Sequence, residues 1–214
     1  MNGKIVVIDY GMGNIRSVAK ALEKLGAVVV VSNKTSELNS ADGLLLPGVG
    51  AFYQAMVNLN DLGLTPVIRN LMSDGKPLLG ICLGMQLLLS SSEEGDPIGG
   101  LDIIKGKVVK FELSKIMPNT KIPHMGWNAV KQKPGSKFWQ GIPDGTFYYF
   151  AHSFYTKPDD KTMVAGTTEY GMEYASVLNY GNVYGTQFHP EKSGPLGLRL
   201  LQNYVELVEN VSRK

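Results

Sequence analysis

Cys82 is the only cysteine of the 214-residue chain, and it lies in the stretch GICLGMQLL (80–88), where one apolar run gives way to another. With PLLGI as a strand and LGMQLLL as a helix, the thiol occupies a sharp strand-to-helix turn of the nucleophile-elbow kind. Glycines at 80 and 84 keep side chains out of that crowded turn and allow a substrate to approach. A helix starting behind the sulfur aims backbone N–H groups and a partial positive charge at it. A free thiol is only a few per cent thiolate at neutral pH, and such surroundings, with a cationic neighbour, favour the ionised, nucleophilic form. The competing reading is a buried structural cysteine, the commoner fate of a lone one. The glycines at the junction favour the nucleophile.

A thiolate nucleophile needs a histidine, and the histidine an orienting group. The stretch GTQFHPEKS (185–193) supplies His189 just after a strand, with Glu191 two residues on. Pro190 fixes the turn between them. His152, inside FYYFAHSFY, is read as a strand histidine hydrogen-bonded in place, and His124 as part of a surface or interface loop. Acyl chemistry also needs donors for a developing oxyanion. The turn in LLLPGVGAF can direct the backbone N–H of Gly50 toward the same edge, although an ordinary strand-to-helix connection has the same composition. GMGNIR (11–16) is close to a dinucleotide fingerprint, but Arg16 stands where the third glycine belongs and no acid closes the second strand. NAD binding is therefore not expected.

These groups need elements to position them. KIVVID (4–9), AVVVV (27–31), GLLLP (43–47) and KPLLGI (76–81) read as short buried strands. Between them, Ile15, Val18, Ala19, Leu22 and Leu25 share one helical face, closed by Gly26 as a C-cap. Ala51 to Leu62 and LGMQLLLSS (83–91) read as further helices. From about residue 100 the pattern becomes β-rich, through DIIKGKVVKFEL, GTFYYFAHSFYT, KTMVAGTTEY, MEYASVLNY and NVYGTQF, with YGN as a tight hairpin turn. Residues 195–212 return to helical spacing. The expected fold is α/β: a mostly parallel, flavodoxin-like central sheet with helices on both faces and antiparallel additions in the second half, as a single domain over 1–214.

Hydrophobic residues at 43% and charged residues at 19% are the balance of a compact soluble chain. A formal charge of +2, with lysine and arginine dispersed, gives no stripe for a phosphate backbone, so no nucleic acid is expected. No apolar run approaches a membrane span or a signal-peptide core. One cysteine permits no internal disulfide and fits a reducing cytoplasm. The three histidines are too far apart for a zinc spacing, so neither a metal nor a cofactor is expected.

With these pieces placed, the chain resembles the class I, triad-type glutamine amidotransferases. GICLGMQLL is similar to that family's nucleophile motif, PGVGAF to its oxyanion loop and FHPEKS to its histidine–glutamate pair. Within the family, IDYGMGNIRSVAKALEKLG and IPHMGWN resemble the glutaminase subunits of imidazole glycerol phosphate synthases. The likeness implies Cys82 as nucleophile, His189 as proton shuttle and Glu191 as its orienting group. It implies oxyanion donors at the N–H groups of Gly50 and Leu83, and glutamine held by Gln86, Glu94 and the backbone at Ser153 and Phe154. It also implies a (β/α)8-barrel cyclase partner in a heterodimer that receives ammonia through a channel, and a switchable peptide at Val49–Gly50. Pro123, Met125 and Trp127 are of the type that fills an interface, core packing being the alternative for Trp127. Lys192 is placed to meet an acid across the joint. Nearer rivals are the glutaminase subunits of anthranilate synthase or pyridoxal phosphate synthase. A cysteine hydrolase or isomerase and a non-catalytic binding module are more distant ones.

Overall fold

The computed structural model describes residues 3–112 and 121–212. Leu113, the last residue of one predicted β-rich stretch, lies outside them. The first half alternates strands β1 (Lys4–Ile8), β2 (Val28–Ser32), β3 (Gly43–Leu46) and β4 (Leu78–Ile81) with helices α1 (Ile15–Lys24), α2 (Thr35–Ser40), α3 (Phe52–Asp61), α4 (Leu64–Ser73) and α5 (Leu83–Leu87). The second half is built from strands β5 (Ser91–Ser92), β6 (Gly106–Lys110), β7 (His124–Gln132), β8 (Thr146–His152), β9 (Phe154–Pro158), β10 (Val164–Glu169), β11 (Glu173–Tyr180) and β12 (Val183–Thr186), and ends in α6 (Gly194–Ser212).

The sheet runs β2-β1-β3-β4-β12-β11-β10-β7-β8, with β9, β6 and β5 branching from β11. From β2 to β12 the pairs are parallel, and from β12 onward antiparallel. This is the expected mixed sheet. The hairpin joining β11 to β12 turns through Gly181, at φ +55°, and Asn182, as the YGN reading anticipates.

The two-residue period of a strand divides the core into two layers. Ile5, Val7, Leu45, Leu79 and Ile81 face α1 and α6 through Leu22, Tyr204 and Val208. Val6, Ile8, Leu44, Leu46 and Leu78 face the other way, toward Leu38, Phe52, Ile68 and Leu83 of α2 to α5. Strands buried on both faces must be apolar throughout, hence the unbroken runs in the sequence. At the edge, β2 leaves Val28 and Val31 exposed.

Three sequence expectations need amendment. The helix read over 83–91 ends at Leu87, because its terminal carbonyls are taken by a returning segment: Leu101 N donates to Leu87 O at 2.8 Å, and Ile103 and Ile104 to Leu88 O at 3.0 Å. Helices α2 and α4 stand where the sequence pattern marks none. The first buries only Leu38, and the second carries Pro66 in its opening turn, where a missing N–H is tolerated. His124 is not in a loop but opens β7, 2% exposed, because the strand begins directly after Pro123 and its even-numbered positions point inward.

Helix α5 lies directly on strand backbone. A Cβ at Gly84 would fall 1.9 Å from Leu46 O, and one at Gly80 would fall 2.7 Å from Gly84 O. Since neither neighbour is a movable side chain, Gly84→Ala is expected to destabilise the fold by about 3 kcal/mol, whereas alanine at Gly63, where φ is +66° but no heavy atom lies within 4 Å, costs about 1 kcal/mol. Urea unfolding of the two variants measures the difference.

Candidate active site

Cys82 sits between β4 and α5 with φ +54° and ψ −109°, a region that costs a non-glycine residue on the order of 1–3 kcal/mol. The conformation is held from both sides. Cys82 N donates to Thr186 O at 2.7 Å, and Met85 N and Gln86 N donate to Cys82 O at 3.1 and 3.2 Å. Gly48 belongs to the same close packing, since a Cβ there would come within 2.7 Å of Leu83 Cβ.

Parallel pairing of β4 with β12, Ile81 opposite Thr186, brings the chain that leaves each strand to the same sheet edge. His189, three residues past Thr186, thereby reaches hydrogen-bonding distance of the Cys82 side chain. Its Nδ1 lies 2.9 Å from Glu191 Oε1, and both side chains are 3% exposed or less. The loop is clamped by Ser193, whose Oγ donates to His189 O at 2.6 Å and accepts from Tyr149 N at 3.0 Å. His189 N in turn donates to Tyr149 O at 2.9 Å. Burial disfavours the His189 imidazolium, but hydrogen bonds to Cys82 and Glu191, together with their negative charges, outweigh it and raise the group to about 9. The arrangement favours the His189 imidazolium at neutral pH.

Beside the sulfur is a cavity of about 240 Å³ lined by Gly50, Leu83, Gln86, Glu94, Ser153 and Phe154, with Val49, Pro123 and Met125 at its margin. It is smaller than the ~300–1,000 Å³ of a drug-sized pocket and suits a single amino acid. Larger cavities near Lys76 and near Lys157 are lined by neither cysteine nor histidine. Gly50 has φ +108°, which favours glycine. Gln86 Nε2 donates to Phe154 O at 3.0 Å and to Gln187 Oε1 at 3.1 Å. Glu94 Oε2 accepts from Phe52 N at 2.9 Å, at the start of α3.

His152, which also lines the cavity, forms a buried cluster with His124 and Tyr174. His152 Nδ1 donates to Phe154 O at 2.7 Å, so its Nε2 is the acceptor facing Tyr174 Oη and His124 Nδ1, each 3.2 Å away. Burial, reinforced by the neighbouring histidines and partly offset by the Phe154 carbonyl, pushes His152 down to about 3. Burial alone pushes His124 down to about 4. The reading of His152 as a strand histidine held by hydrogen bonds therefore stands.

The predicted interface residues are on the surface. Alternation along β7 turns Met125 and Trp127 outward, 64% and 56% exposed, so core packing does not account for Trp127. Pro123 and Lys192 are also exposed, with Lys192 Nζ 6.0 Å from the Tyr149 ring centroid. Two further residues of the site are not singled out in the sequence reading. Phe147 of β8 is exposed beside them, and only strand register puts it there. Gln187, fully buried, has Nε2 3.8 Å from Cys82 Sγ; its one signal is a glutamine just past the end of a buried strand.

Comparison with known proteins agrees with this geometry. Residues 6–207 match the family described as glutamine amidotransferase class-I. The chain belongs to that family. It is 51% identical to imidazole glycerol phosphate synthase subunit HisH of Moorella thermoacetica, over 96% of each chain. It is 52% identical to HisH of Methanosarcina mazei, over 95% of this chain and 98% of that one. Among solved structures, one described as a glutamine amidotransferase superposes with a TM-score of 0.74 at 19% identity, covering 95% of this chain and 98% of that one. PurLQS of Thermotoga maritima superposes with 0.71 at 20% identity, covering 96% and 99%. These two likenesses concern the fold.

Because the His189 titration is raised, its imidazolium persists through neutrality and is lost as pH rises through about 9. An NMR titration of the His189 ring is expected to give that midpoint. Glu191→Gln removes a charge that favours the protonated ring and moves the midpoint downward; an unmoved midpoint would show that the 2.9 Å contact carries no such influence.

Proposed function

We propose that this chain, as one domain over 1–214, is the glutaminase subunit of an imidazole glycerol phosphate synthase, the enzyme of histidine biosynthesis. The observation that carries this reading is the buried Cys82–His189–Glu191 line beside an amino-acid-sized cavity, in a chain about half identical along nearly its whole length to subunits of that name.

In this reading Cys82 Sγ attacks the side-chain carboxamide carbon of glutamine. The N–H groups of Gly50 and Leu83 receive the charge that develops on its oxygen. The His189 imidazolium gives its proton to the departing nitrogen, ammonia leaves, and a glutamyl thioester remains on Sγ. His189, now neutral, takes a proton from water as the water attacks the thioester; glutamate is released and the thiolate–imidazolium pair is restored. Glu191 keeps the imidazole aimed throughout. Gln86 and Glu94 supply oxygen acceptors for the α-amino group, and the backbone at Ser153 and Phe154 faces the α-carboxylate. Once Val49 and Gly50 rearrange, the N–H at Gly50 completes the oxyanion site, which ties the rate to a partner.

That partner, a (β/α)8-barrel cyclase forming a heterodimer, is read onto the outward face of β7 and β8. Met125, Trp127 and Phe147 are large, apolar and exposed there, and Pro123 and Met125 also border the cavity. Ammonia released at Sγ thus emerges beneath the covered face, as channelling requires.

The deciding assay is glutamate release from glutamine, with and without the cyclase. Activity is expected to rise on adding the cyclase and to vanish in Cys82→Ala; survival in that variant would sink the thioester mechanism, and equal rates with and without the cyclase would sink the switch. Trp127→Ala and Phe147→Ala are each expected to weaken the complex by about tenfold or more in a direct binding titration, with the thermal midpoint of the isolated chain unchanged.

A further inference from the structure

Gln187 touches the nucleophile, and no step of the thioester mechanism uses it. We infer that its side-chain amide donates a hydrogen bond to Cys82 Sγ and stabilises the thiolate, with Gln86 holding the amide in that orientation. The inference rests on Cys82 being the nucleophile.

The orientation follows from donor and acceptor accounting. Phe154 O only accepts, and Gln86 Nε2 lies 3.0 Å from it, so the amide nitrogen of Gln86 faces that carbonyl. The same nitrogen is 3.1 Å from Gln187 Oε1 and donates to it. With its oxygen engaged, Gln187 turns Nε2 toward Sγ, 3.8 Å away, within reach of a sulfur acceptor. The flipped amide would set two donors against each other at Gln86 and a carbonyl oxygen against the sulfur. Gln187 is fully buried and Gln86 is 5% exposed, so water offers no substitute partner. Backbone bonding completes the support: Gln187 N donates to Ser176 O at 2.9 Å, and His152 Nδ1 occupies the second lone pair of Phe154 O at 2.7 Å.

This donor differs from His189 in kind. The imidazolium loses its proton when ammonia departs, whereas a neutral amide keeps its hydrogen through both halves of the reaction. It therefore favours the thiolate as attacking group and again as leaving group when the thioester is hydrolysed. Gln86 also lines the cavity, so a ligand there and the sulfur share one hydrogen-bonded series.

The test is alkylation of Cys82 in the full-length chain by iodoacetamide as a function of pH, which reads the thiolate without the partner or the glutaminase reaction. Gln187→Met, close in shape but without the donor, is expected to slow alkylation at neutral pH by about tenfold or more and to move the half-maximal pH upward. Gln187→Glu, which replaces the donor with a carboxylate, is expected to move it further. In the glutaminase assay with the cyclase, kcat falls with KM little changed. A Gln187→Met profile superimposable on wild type overturns the inference. Should both variants fail to fold, the wild-type Gln187 side-chain amide resonances are followed instead; they are expected to shift with the alkylation midpoint, and insensitivity to it is equally fatal. Glutaminase activity persisting in Cys82→Ala would refute the proposed function, an outcome separate from these.

Discussion

The site depends on one backbone contact, the 2.7 Å hydrogen bond from Cys82 N to Thr186 O, which continues the parallel register of β4 and β12 by one residue beyond Ile81. That bond fixes where the first strand stops and the elbow begins. It also fixes the point from which Gln187, Phe188 and His189 leave the neighbouring strand. A shift of one residue in this pairing would turn every side chain on β12 to the opposite face. The sulfur would then meet neither the amide nor the imidazole.

The elbow itself is strained, and the strain is maintained by packing too close for side chains. Gly48, Gly80 and Gly84 let three backbone segments meet where a methyl group would collide with a carbonyl, an amide or a side chain. An unfavourable φ at Cys82 survives because the surrounding segments permit no other path. The charge arrangement follows the same logic: His189 and Glu191 are buried together, and the burial that opposes the imidazolium is outweighed by Cys82 and Glu191.

Much of this is legible in the sequence because its causes are local. Apolar runs of four to six residues announce the doubly covered strands, and glycine spacing around Cys82 announces the elbow. His189, Pro190 and Glu191 are legible for the same reason, lying within three residues of one another. What is not legible depends on distant chain segments. The early end of α5 is imposed by residues 101–104, which take its carbonyls. The burial of His124 comes from stacking between Phe150 and Tyr170, at 4.7 and 3.9 Å between ring centroids, in a strand whose start is masked by the preceding proline. Gln187 is one polar residue just past β12 until Gln86, 101 positions away, gives its amide a direction.

The neutral pair formed by His124 and His152 has a cost under acid conditions. Both rings take up a proton with an ordinary affinity, near 6.5, once the chain unfolds, but only near 4 and 3 while it is folded. As pH falls below about 6.5 the unfolded chain binds protons that the folded one refuses, and the balance moves toward unfolding until the folded-state values are reached. The two rings lie beneath the β7–β8 ribbon that carries the exposed aromatic face, against Tyr174 of β11. Mild acid therefore draws down the stability of the fold through two rings that take no part in the proposed chemistry.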